Sequence, residues 1–485
     1  MSVIWHKVWF DLWQRKARTL LAVMSIAAGV FAIGAIFGMF DQLLSNMDAS
    51  HVATNPSHIN IVMRQPISKE TAEALTNIEG VVGVEVLNLL SGRYKKDPAA
   101  EWQSATFVMR DDFTQQTYDQ LTLLEGSWPE GKNVAIERLS SNVFGIEMGD
   151  EIIFELDGTD RAFPVTGEIR HPFVPPPDFG GDTYFVVSEE VMARFGIPQG
   201  RYLQILVQVE PYSEDYAKDR ATAIRDRLAK QGLGVAVTIY QEPETHWGRP
   251  FILGVNLVLQ ILAVVALLTS VILVINTMTA IITQQTDQIG VIKAIGGTSD
   301  LIMRVYLAGV LVYGVLAAVV ALPLGMFAAY GASRWLLNVF NIDHETFEFS
   351  TRAVVLQILA ALVAPLLAAL WPVLKGAAIS VREAIASYGL GGNFGLTKFD
   401  QTIEKISNRL LPSAYATALN NMFRRKGRLA LTQAVLITAG TMFLMVMTLS
   451  NSLTYTLNSE LDRRGYDIRV VMNRPQRVEQ VEDFA

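Results

Sequence analysis

The sequence predicts an α-helical polytopic membrane protein with an extracytoplasmic α+β domain inserted between its first and second spans. Apolar residues make up 51% of the chain, and the mean hydropathy is +0.28. These residues are concentrated in five blocks, each at or above the roughly 20 apolar residues that span a bilayer. A polar region with short β-like runs, 41–250, separates the first block from the second. This alternation predicts the fold class.

The five apolar blocks are the predicted transmembrane spans. They lie at 19–40, 255–282, 301–337, 353–374 and 429–449. Basic residues precede span one and recur through the linker 375–428, whereas the connection between spans three and four is acidic. Because basic flanks stay in the cytoplasm, the N-terminus and this linker are predicted to be cytoplasmic. The region 41–250 is then extracytoplasmic.

Residues 1–18 contain three regularly spaced tryptophans, Trp5, Trp9 and Trp13, beside basic residues. Tryptophans in this setting are typical of a helix that lies in the membrane interface. The pattern therefore predicts a cytoplasmic interfacial helix over 1–18. A cytoplasmic extension of span one fits the same residues.

The region 41–250 predicts strands mixed with helices, without regular βαβ alternation, which is typical of an α+β domain. Its β-like runs lie at 58–63, 105–110, 151–156, 162–169, 183–187, 203–209 and 235–240. Its helical patterns lie at 68–76, 188–195 and 213–230.

Small residues recur at intervals of four in two of the spans. Gly34 and Gly38 form such a pair in span one, and Ala317, Ala321 and Gly325 form a series in span three. Small residues at this spacing let helices approach closely in lipid. We therefore predict that these positions are helix-packing contacts.

Span two is followed at once by an amphipathic segment, TQQTDQIGVIKAIGGTS, and then by span three. Ile289, Ile292 and Ile295 stand at helical spacing, and the pair Gly296-Gly297 is a helix stop. The segment predicts a short cytoplasmic helix over 286–299, at a place where a motor protein could push on a membrane protein. A plain cytoplasmic turn is the alternative.

The entry to span one recurs before span five. LWQRKARTL at 12–20 aligns with MFRRKGRLA at 422–430, and the first external run, HINIVM, aligns with residues near 466–473. A shared basic entry, span and strand indicate an internal repeat. We expect 450–485 to begin a second extracytoplasmic domain, and the chain to be the front part of a duplicated, C-terminally truncated protein.

The sequence predicts no catalytic, cofactor-binding or metal-binding residues. It has no G-x-x-x-x-G-K-[ST] phosphate loop, no cysteine and only six scattered histidines. No basic stripe indicates nucleic-acid binding. Charged residues are nearly absent from the spans, which argues against the ion relays of secondary transporters. The energy for any transport must therefore come from a partner.

Three segments resemble the FtsX/MacB-type permeases of ABC transporters, in their duplicated form. They are DQIGVIKAIGGTSDLI at 287–302, the exit from span four at 372–384, and LLEGSWPEGKNVAIERLSSNVFGIEMGDEIIFEL at 123–156. The resemblance implies a MacB-like periplasmic core domain over 41–250 and an FtsX-like domain over 251–374. It also implies that the helix 286–299 couples the chain to an ATPase. The implied coupling residues are Asp287, Gln288, Ile289, Gly290, Val291, Ile292, Lys293, Ala294, Ile295 and Gly296.

The resemblance also implies partners and a location. A separate ABC ATP-binding subunit would hold ATP and Mg²⁺ on the cytoplasmic side, and this chain would bind no cofactor. The lipid bilayer, the missing second half of the permease and a periplasmic adaptor are further expected partners. The location implied is the bacterial cytoplasmic (inner) membrane.

Three functions are compatible with these features. The first is export or extraction of lipid, lipoprotein, peptide or hydrophobic small molecules, driven by ATP hydrolysis in the partner. The second is mechanical regulation of an external hydrolase or sensor kinase without transport. The third is a structural membrane protein with no motor. Duplication favours the first, because the cell-division members of the family generally have one unit.

Overall fold

The computed structural model describes residues 3–14, 16–156, 159–176, 181–344, 348–386 and 426–463, with isolated positions between 402 and 422. The chain beyond 463, where the second extracytoplasmic domain is predicted, lies outside the described residues, as does most of the predicted linker 375–428. The described chain divides into two compact units. The first combines Met1–Gly29, Val264–Leu316 and the chain from Leu362 onwards, and the second combines Val30–Ala263 with Ala317–Ala361.

Twelve α-helices occur in the described residues. They are α1 (Val3–Gln14), α2 (Lys16–Ala53), α3 (Lys69–Glu73), α4 (Arg138–Phe144), α5 (Glu189–Arg194), α6 (Glu214–Lys230), α7 (Arg249–Gln284), α8 (Thr286–Ala294), α9 (Ser299–Val339), α10 (Thr351–Ala377), α11 (Val381–Ala386) and α12 (Lys426–Arg463). Five of these, α2, α7, α9, α10 and α12, are long and apolar enough to cross a membrane. Each extends beyond the predicted span, because helical hydrogen bonding continues past the last apolar residue.

The chain changes direction between α1 and α2. The Thr19 hydroxyl donates a hydrogen bond to the Leu12 carbonyl oxygen, seven residues earlier, at 3.2 Å. In one continuous helix these residues would be separated by about 10 Å along the axis. Val8 and Leu12 are buried, whereas the three tryptophans of α1 are exposed. Helix α1 is therefore separate from α2.

The external region forms one ten-stranded sheet. Its strands are β1 (Ile59–Ser68), β2 (Val81–Lys95), β3 (Gln103–Arg110), β4 (Thr122–Gly126), β5 (Val134–Glu137), β6 (Glu151–Leu156), β7 (Thr159–Arg170), β8 (Thr183–Val187), β9 (Arg201–Val209) and β10 (Val235–Tyr240). The order is β10-β1-β9-β2-β3-β8-β5-β7-β4, and β6 pairs with β2 and β7. The pairs β3–β8 and β5–β7 are parallel, and the others are antiparallel.

Strands β6, β8 and β10 coincide with β-like runs in the sequence, whereas β2, β4 and β5 do not. Strand β2 changes its partner strands along its length, so its buried residues do not alternate regularly. Strand β5 is only four residues long and buried throughout. A short run that is buried on both faces gives no periodic signal.

The core of the external domain is built around aromatic rings. The Phe154 ring lies with its centroid 4.7 Å from that of Phe107 and 5.0 Å from that of Phe185. All three side chains are fully buried. Helix α6 packs its buried Ile224 and Leu228 against the same core. This core fixes the strands whose ends carry the external site described below.

The small residues predicted as packing contacts surround one buried amide, that of Gln357 in α10. Its Nε2 donates to the carbonyl oxygens of Val30, at 3.4 Å, and Ala321, at 3.2 Å. A Cβ atom on Gly34 or Gly325 would overlap this amide. The small residues therefore make room for a polar side chain as well as for close helix contact.

The remaining two packing positions are also buried contacts. A Cβ on Gly38 would lie 2.9 Å from the Cβ of Ala329 and 3.5 Å from that of Ala353. Ala317 has no exposed surface. Gly34, Gly38, Ala321 and Gly325 thus lie in helix–helix contacts of the second unit.

We expect Gly34→Ala to destabilise the protein by about 1–3 kcal/mol, because the new methyl group overlaps the Gln357 amide. Gly331→Ala, in α9 with open space around it, is the matched control, since both changes carry the same helix-propensity gain. Thermal unfolding of the full chain in detergent micelles measures the difference. The double variant Gly34→Ala/Gln357→Ala should be destabilised by less than the sum of the two single destabilisations. Equal stability of Gly34→Ala and Gly331→Ala would contradict the packing described.

Candidate functional site

The amphipathic segment after α7 forms a short helix, α8, which ends at Ala294 and not at residue 299 as predicted. The Gly297 amide donates to the Ile292 carbonyl at 2.8 Å, and Gly296 has a φ of 99°. This is a helix end in which the residue after the cap is left-handed, a conformation that favours glycine. Thr298 then caps α9, since its hydroxyl accepts from the Leu301 amide at 3.3 Å. The segment α8 to Thr298 is called the α8 hairpin below.

Helix α11 holds α8 in place. A Cβ on Gly290 would lie 2.6 Å from the Cβ of Ala384, so the two helices are in close contact there. Helix α11 begins with a reciprocal cap. The Ser380 hydroxyl accepts from the Glu383 amide at 3.2 Å, and the Glu383 carboxylate accepts from the Ser380 amide at 2.9 Å. This capping box is readable in the sequence as S-x-x-E, whereas its contact with Gly290 is not.

Lys293 ties the hairpin to the end of α10. Its ammonium donates to the carbonyl oxygens of Ala377 and Ile379, each at 2.7 Å. The Ser299 hydroxyl also donates to the Ala377 carbonyl, at 2.8 Å. The last carbonyls of a helix lack partners within the helix and attract cations. Lys293 therefore has a structural role, which its charge alone did not indicate.

The predicted coupling residues divide into a packed face and an exposed face. Ile289 and Gly290 are buried, and Ile292 and Lys293 are half-buried. Asp287, Gln288, Val291, Ala294, Ile295 and Gly296 are exposed. Val291 and Ile295 keep 63% and 82% of their surface exposed. The three isoleucines thus do not share one face, because the helix ends before Ile295.

Helix α1 contacts the exposed polar side of the hairpin. Lys7 Nζ donates to Gln288 Oε1 at 3.3 Å and pairs with Asp11 at 3.2 Å. Beneath it, the Tyr306 hydroxyl donates to the buried amide oxygen of Gln285 at 2.7 Å. The hairpin is therefore supported from both sides, and its apolar exposed face remains uncovered.

A second site lies in the second unit, where α9 ends. Asn341 adopts a φ of 59°, and the Ile342 amide donates to the Leu337 carbonyl at 2.8 Å. Asparagine is one of the few residues besides glycine that adopt this left-handed conformation. An asparagine directly after an apolar helix is a helix-stop signal in the sequence, but the partners of Asn341 are distant along the chain.

The Asn341 joint consists of Asn341 and four residues of the external domain: Glu137, Arg138, Arg170 and His171. The amide nitrogen of Asn341 donates to Glu137 Oε1 at 2.6 Å and to the His171 carbonyl at 3.2 Å. Its amide oxygen accepts from Arg138 Nε at 2.9 Å. Its backbone carbonyl accepts from Arg170 Nε at 2.8 Å and from Arg138 at 3.2 Å. One residue thus fastens the end of α9 to β5, α4 and β7.

Charges around the joint are paired or neutral. Asp343 forms ion pairs with Arg138 at 2.8 Å and with Arg170 at 3.1 Å. Glu137 has no exposed surface, and burial raises its pKa to about 7, although two backbone amides and Asn341 donate to it. Burial lowers the pKa of His171 to about 3, so its imidazole is neutral. The joint is therefore a desolvated hydrogen-bond network.

Among the residues that the structure describes, no group of three or more His, Cys, Asp or Glu side chains could hold a metal ion. The sites are built for contact between helices and domains.

Two family models match the chain. The model of the MacB-like periplasmic core domain matches residues 19–224, and the model of the FtsX-like permease C-terminal domain matches residues 260–381. Between them they cover more than half of the chain and both sites. The chain belongs to the FtsX/MacB-type permease family.

The solved structures that match part of the chain include two external domains. The periplasmic region of MacB from Actinobacillus actinomycetemcomitans is 14% identical, with 38% of this chain and 88% of that chain covered and a TM-score of 0.26. The extracellular domain of the noncanonical ABC-type transporter YknZ from Gram-positive bacteria is 15% identical, with 38% and 100% covered and a TM-score of 0.26. No curated protein matches the chain.

Family membership confirms the resemblance and the fold class predicted from the sequence. The FtsX/MacB-type permease is a multi-pass membrane protein with a periplasmic-type α+β domain between its first helix and its later helices. Permeases of this family are the membrane components of ABC transporters and work with ABC ATPase subunits.

We expect Asn341→Gly to destabilise the joint by about 1–3 kcal/mol, because buried Glu137 and half-buried Arg138 lose a hydrogen-bond partner while the left-handed backbone is kept. Asn55→Gly is the matched control, since Asn55 also has a positive φ, of 50°, but is exposed. Hydrogen–deuterium exchange of the full chain, followed at 137–144, measures the loss. Equal exchange in both variants would show that the side chain of Asn341 does not stabilise the joint.

The raised pKa of Glu137 predicts a pH dependence of stability. Between its ordinary value of 4.5 and about 7, the folded protein holds a proton that the unfolded chain has released. The contribution of Glu137 is therefore full below pH 4.5 and is lost as pH rises through 7. Relative to Glu137→Gln, the native chain should lose up to about 3 kcal/mol of unfolding free energy over this range.

Unfolding of both proteins in detergent micelles at a series of pH values checks this. His171 has the opposite dependence, because its lowered pKa costs stability as pH falls, but it is present in both proteins and cancels in the difference. A difference that stays constant from pH 4.5 to pH 7 would refute the assignment to Glu137.

Proposed function

We propose that this permease is the transmembrane subunit of an ATP-driven exporter. A separate ABC subunit binds and hydrolyses ATP with Mg²⁺, and the permease converts that cycle into movement of its external domain. The cargo class is lipid, lipoprotein, peptide or hydrophobic small molecules, which are exported or extracted from the membrane. The permease itself binds no nucleotide and performs no catalysis.

The observation that carries this proposal is the exposed face of the α8 hairpin. Val291, in α8, and Ile295, directly after it, are large exposed apolar side chains of a hairpin that is held by Gly290 and Lys293. Exposed apolar side chains on a rigid support are typical of protein-binding surfaces. The hairpin is therefore proposed as the docking surface for the ATPase.

Helix α9 supports the mechanical part of the proposal. It begins directly after the hairpin, at Ser299, and ends at Val339, two residues before Asn341. The external domain is fastened to that end by the joint. A displacement of α9 would therefore pull on β5, α4 and β7, and the external domain would follow as a lever.

The proposed location is the bacterial cytoplasmic (inner) membrane, with the N-terminus in the cytoplasm and the large domain outside. The basic residues before α2 and the acidic connection between α9 and α10 support this orientation. The hairpin then lies on the cytoplasmic side, where an ATPase is available.

A second candidate function uses the same parts. A lever fastened at Asn341 could act on an external hydrolase or sensor kinase without transporting anything. The two functions differ in what changes outside the membrane. Reconstituted vesicles that move cargo only with ATP would support export, and ATP-dependent activation of an external enzyme would support regulation.

The docking proposal predicts that Val291→Asp and Ile295→Asp abolish co-purification with the ABC subunit encoded beside the permease. A charge on an exposed apolar contact costs desolvation in the complex but little in the free chain. Val143→Asp, at an exposed apolar position in α4, is the matched control and should leave association unchanged. Affinity capture of the co-expressed pair measures the outcome.

Co-purification that survives both hairpin changes would move the docking surface elsewhere. Substitutions at Gly290 cannot decide the question, because a side chain there would displace Ala384 and disturb the support of the hairpin. Absence of any associated ATPase for the unaltered permease would refute the transporter proposal.

A further inference from the structure

A large cavity lies beneath the sheet of the external domain, beside the ends of two membrane-spanning helices. Its volume is about 610 Å³, within the usual range of small-molecule sites. His51, in the last turn of α2, and Pro250, in the first turn of α7, line its wall. Both helices continue from this wall into the predicted spans 19–40 and 255–282.

Large apolar side chains are left uncovered in this cavity. Leu89, Ile239, Tyr240 and Trp247 line it and keep 38%, 46%, 37% and 41% of their surface exposed. Full burial of an apolar side chain of this size contributes about 1.5–3 kcal/mol of free energy. These four side chains lack part of that contribution. A cluster of such residues in a concave wall is typical of a site for an apolar ligand.

The charged groups of the wall are already occupied. Arg110 donates to Glu85 at 3.1 Å and to the Tyr118 carbonyl at 3.0 Å. Asp119 accepts from the amide and the hydroxyl of Ser57, each at 2.8 Å. Glu242, the second carboxylate of the wall, accepts from the Tyr212 hydroxyl at 3.2 Å. The described wall therefore has one arginine and two carboxylates, which disfavours an anionic ligand.

Three wall side chains nevertheless keep a polar atom without a partner among the described residues: His51 Nδ1, Arg110 Nε and Gln241 Oε1. His51 Nε2 is hydrogen-bonded to the Glu242 carbonyl oxygen at 2.8 Å, so it carries the proton and Nδ1 is an acceptor. All three atoms are buried in side chains of the cavity wall. They offer two acceptors and one donor, a set that hydroxyl groups satisfy and a carboxylate does not.

We infer that this cavity binds an uncharged single-chain amphiphile drawn from the bilayer, with its chain against Leu89, Ile239 and Trp247 and a hydroxyl-bearing head near His51, Arg110 and Gln241. A monoacylglycerol has this chemistry. The inference rests on the proposed export function, whose cargo class it narrows, but the binding itself requires neither ATP nor the ATPase.

The test is photo-crosslinking of the full chain in phosphatidylcholine nanodiscs, without ATPase or nucleotide. The probe is a monoacylglycerol that carries a diazirine in its acyl chain, and labelled peptides are mapped by mass spectrometry. We expect labelling of the peptides that contain Leu89 and 237–247. Excess monoolein should remove this labelling, whereas oleate, with its charged head, should not.

Two variants fill the cavity, Leu89→Trp and Ile239→Trp, and each should reduce labelling of the other wall peptide by about tenfold. Both positions are partly exposed, so a larger side chain does not disturb the core. Leu124→Trp, at a position 41% exposed in β4 that does not line the cavity, is the matched control and should label like the native chain.

Three results would overturn the inference. They are labelling confined to the membrane-spanning helices, labelling unaffected by both cavity-filling variants, and competition by oleate equal to that by monoolein. The docking experiment on the hairpin is independent, so a failure there leaves this result standing. A failure here would likewise leave the ATPase docking proposal intact and remove only the cargo assignment.

Discussion

The hydrogen bonds of Asn341 are the interaction on which the external half of this permease depends. Asn341, in the left-handed conformation at the end of α9, directs both its backbone carbonyl and its side-chain amide towards the external domain. Both groups form hydrogen bonds there. The same contacts hold Glu137, which caps α4 through the Leu139 and Ser140 amides. Loss of this one residue would leave a buried carboxylate and two arginines to find new partners, so helix, cap and strand end are stabilised as a set.

The α8 hairpin differs from the joint, because only one of its two sides is packed. Its inner side uses glycine and alanine, which allow backbones to approach, and one lysine, which satisfies helix-end carbonyls. Its outer side keeps two large apolar residues in the open. A helix of nine residues would be marginal in isolation. Its support comes from contacts with the end of α10 and with α11.

The sequence predicted the long apolar helices and the position of the hairpin, because hydropathy and helix-stop signals are read from adjacent residues. Several strands, such as β6 and β10, were readable for the same reason. The buried amide of Gln357 and the partners of Asn341 were not. Each depends on residues far apart in the chain, up to 327 positions for Gln357 and Val30. Periodicity carries no information about such pairs, which only the tertiary fold brings together.

The contact between Gly290 and Ala384 has a consequence for exchanging parts between permeases. The FtsX-like family match ends at residue 381, whereas the capping box of α11 and its contact with α8 involve Glu383 and Ala384. A chimera cut at the family boundary would keep the hairpin sequence and discard its support. The smallest transplantable module therefore extends through α11, and recombination within this family should preserve linkage between the two short helices.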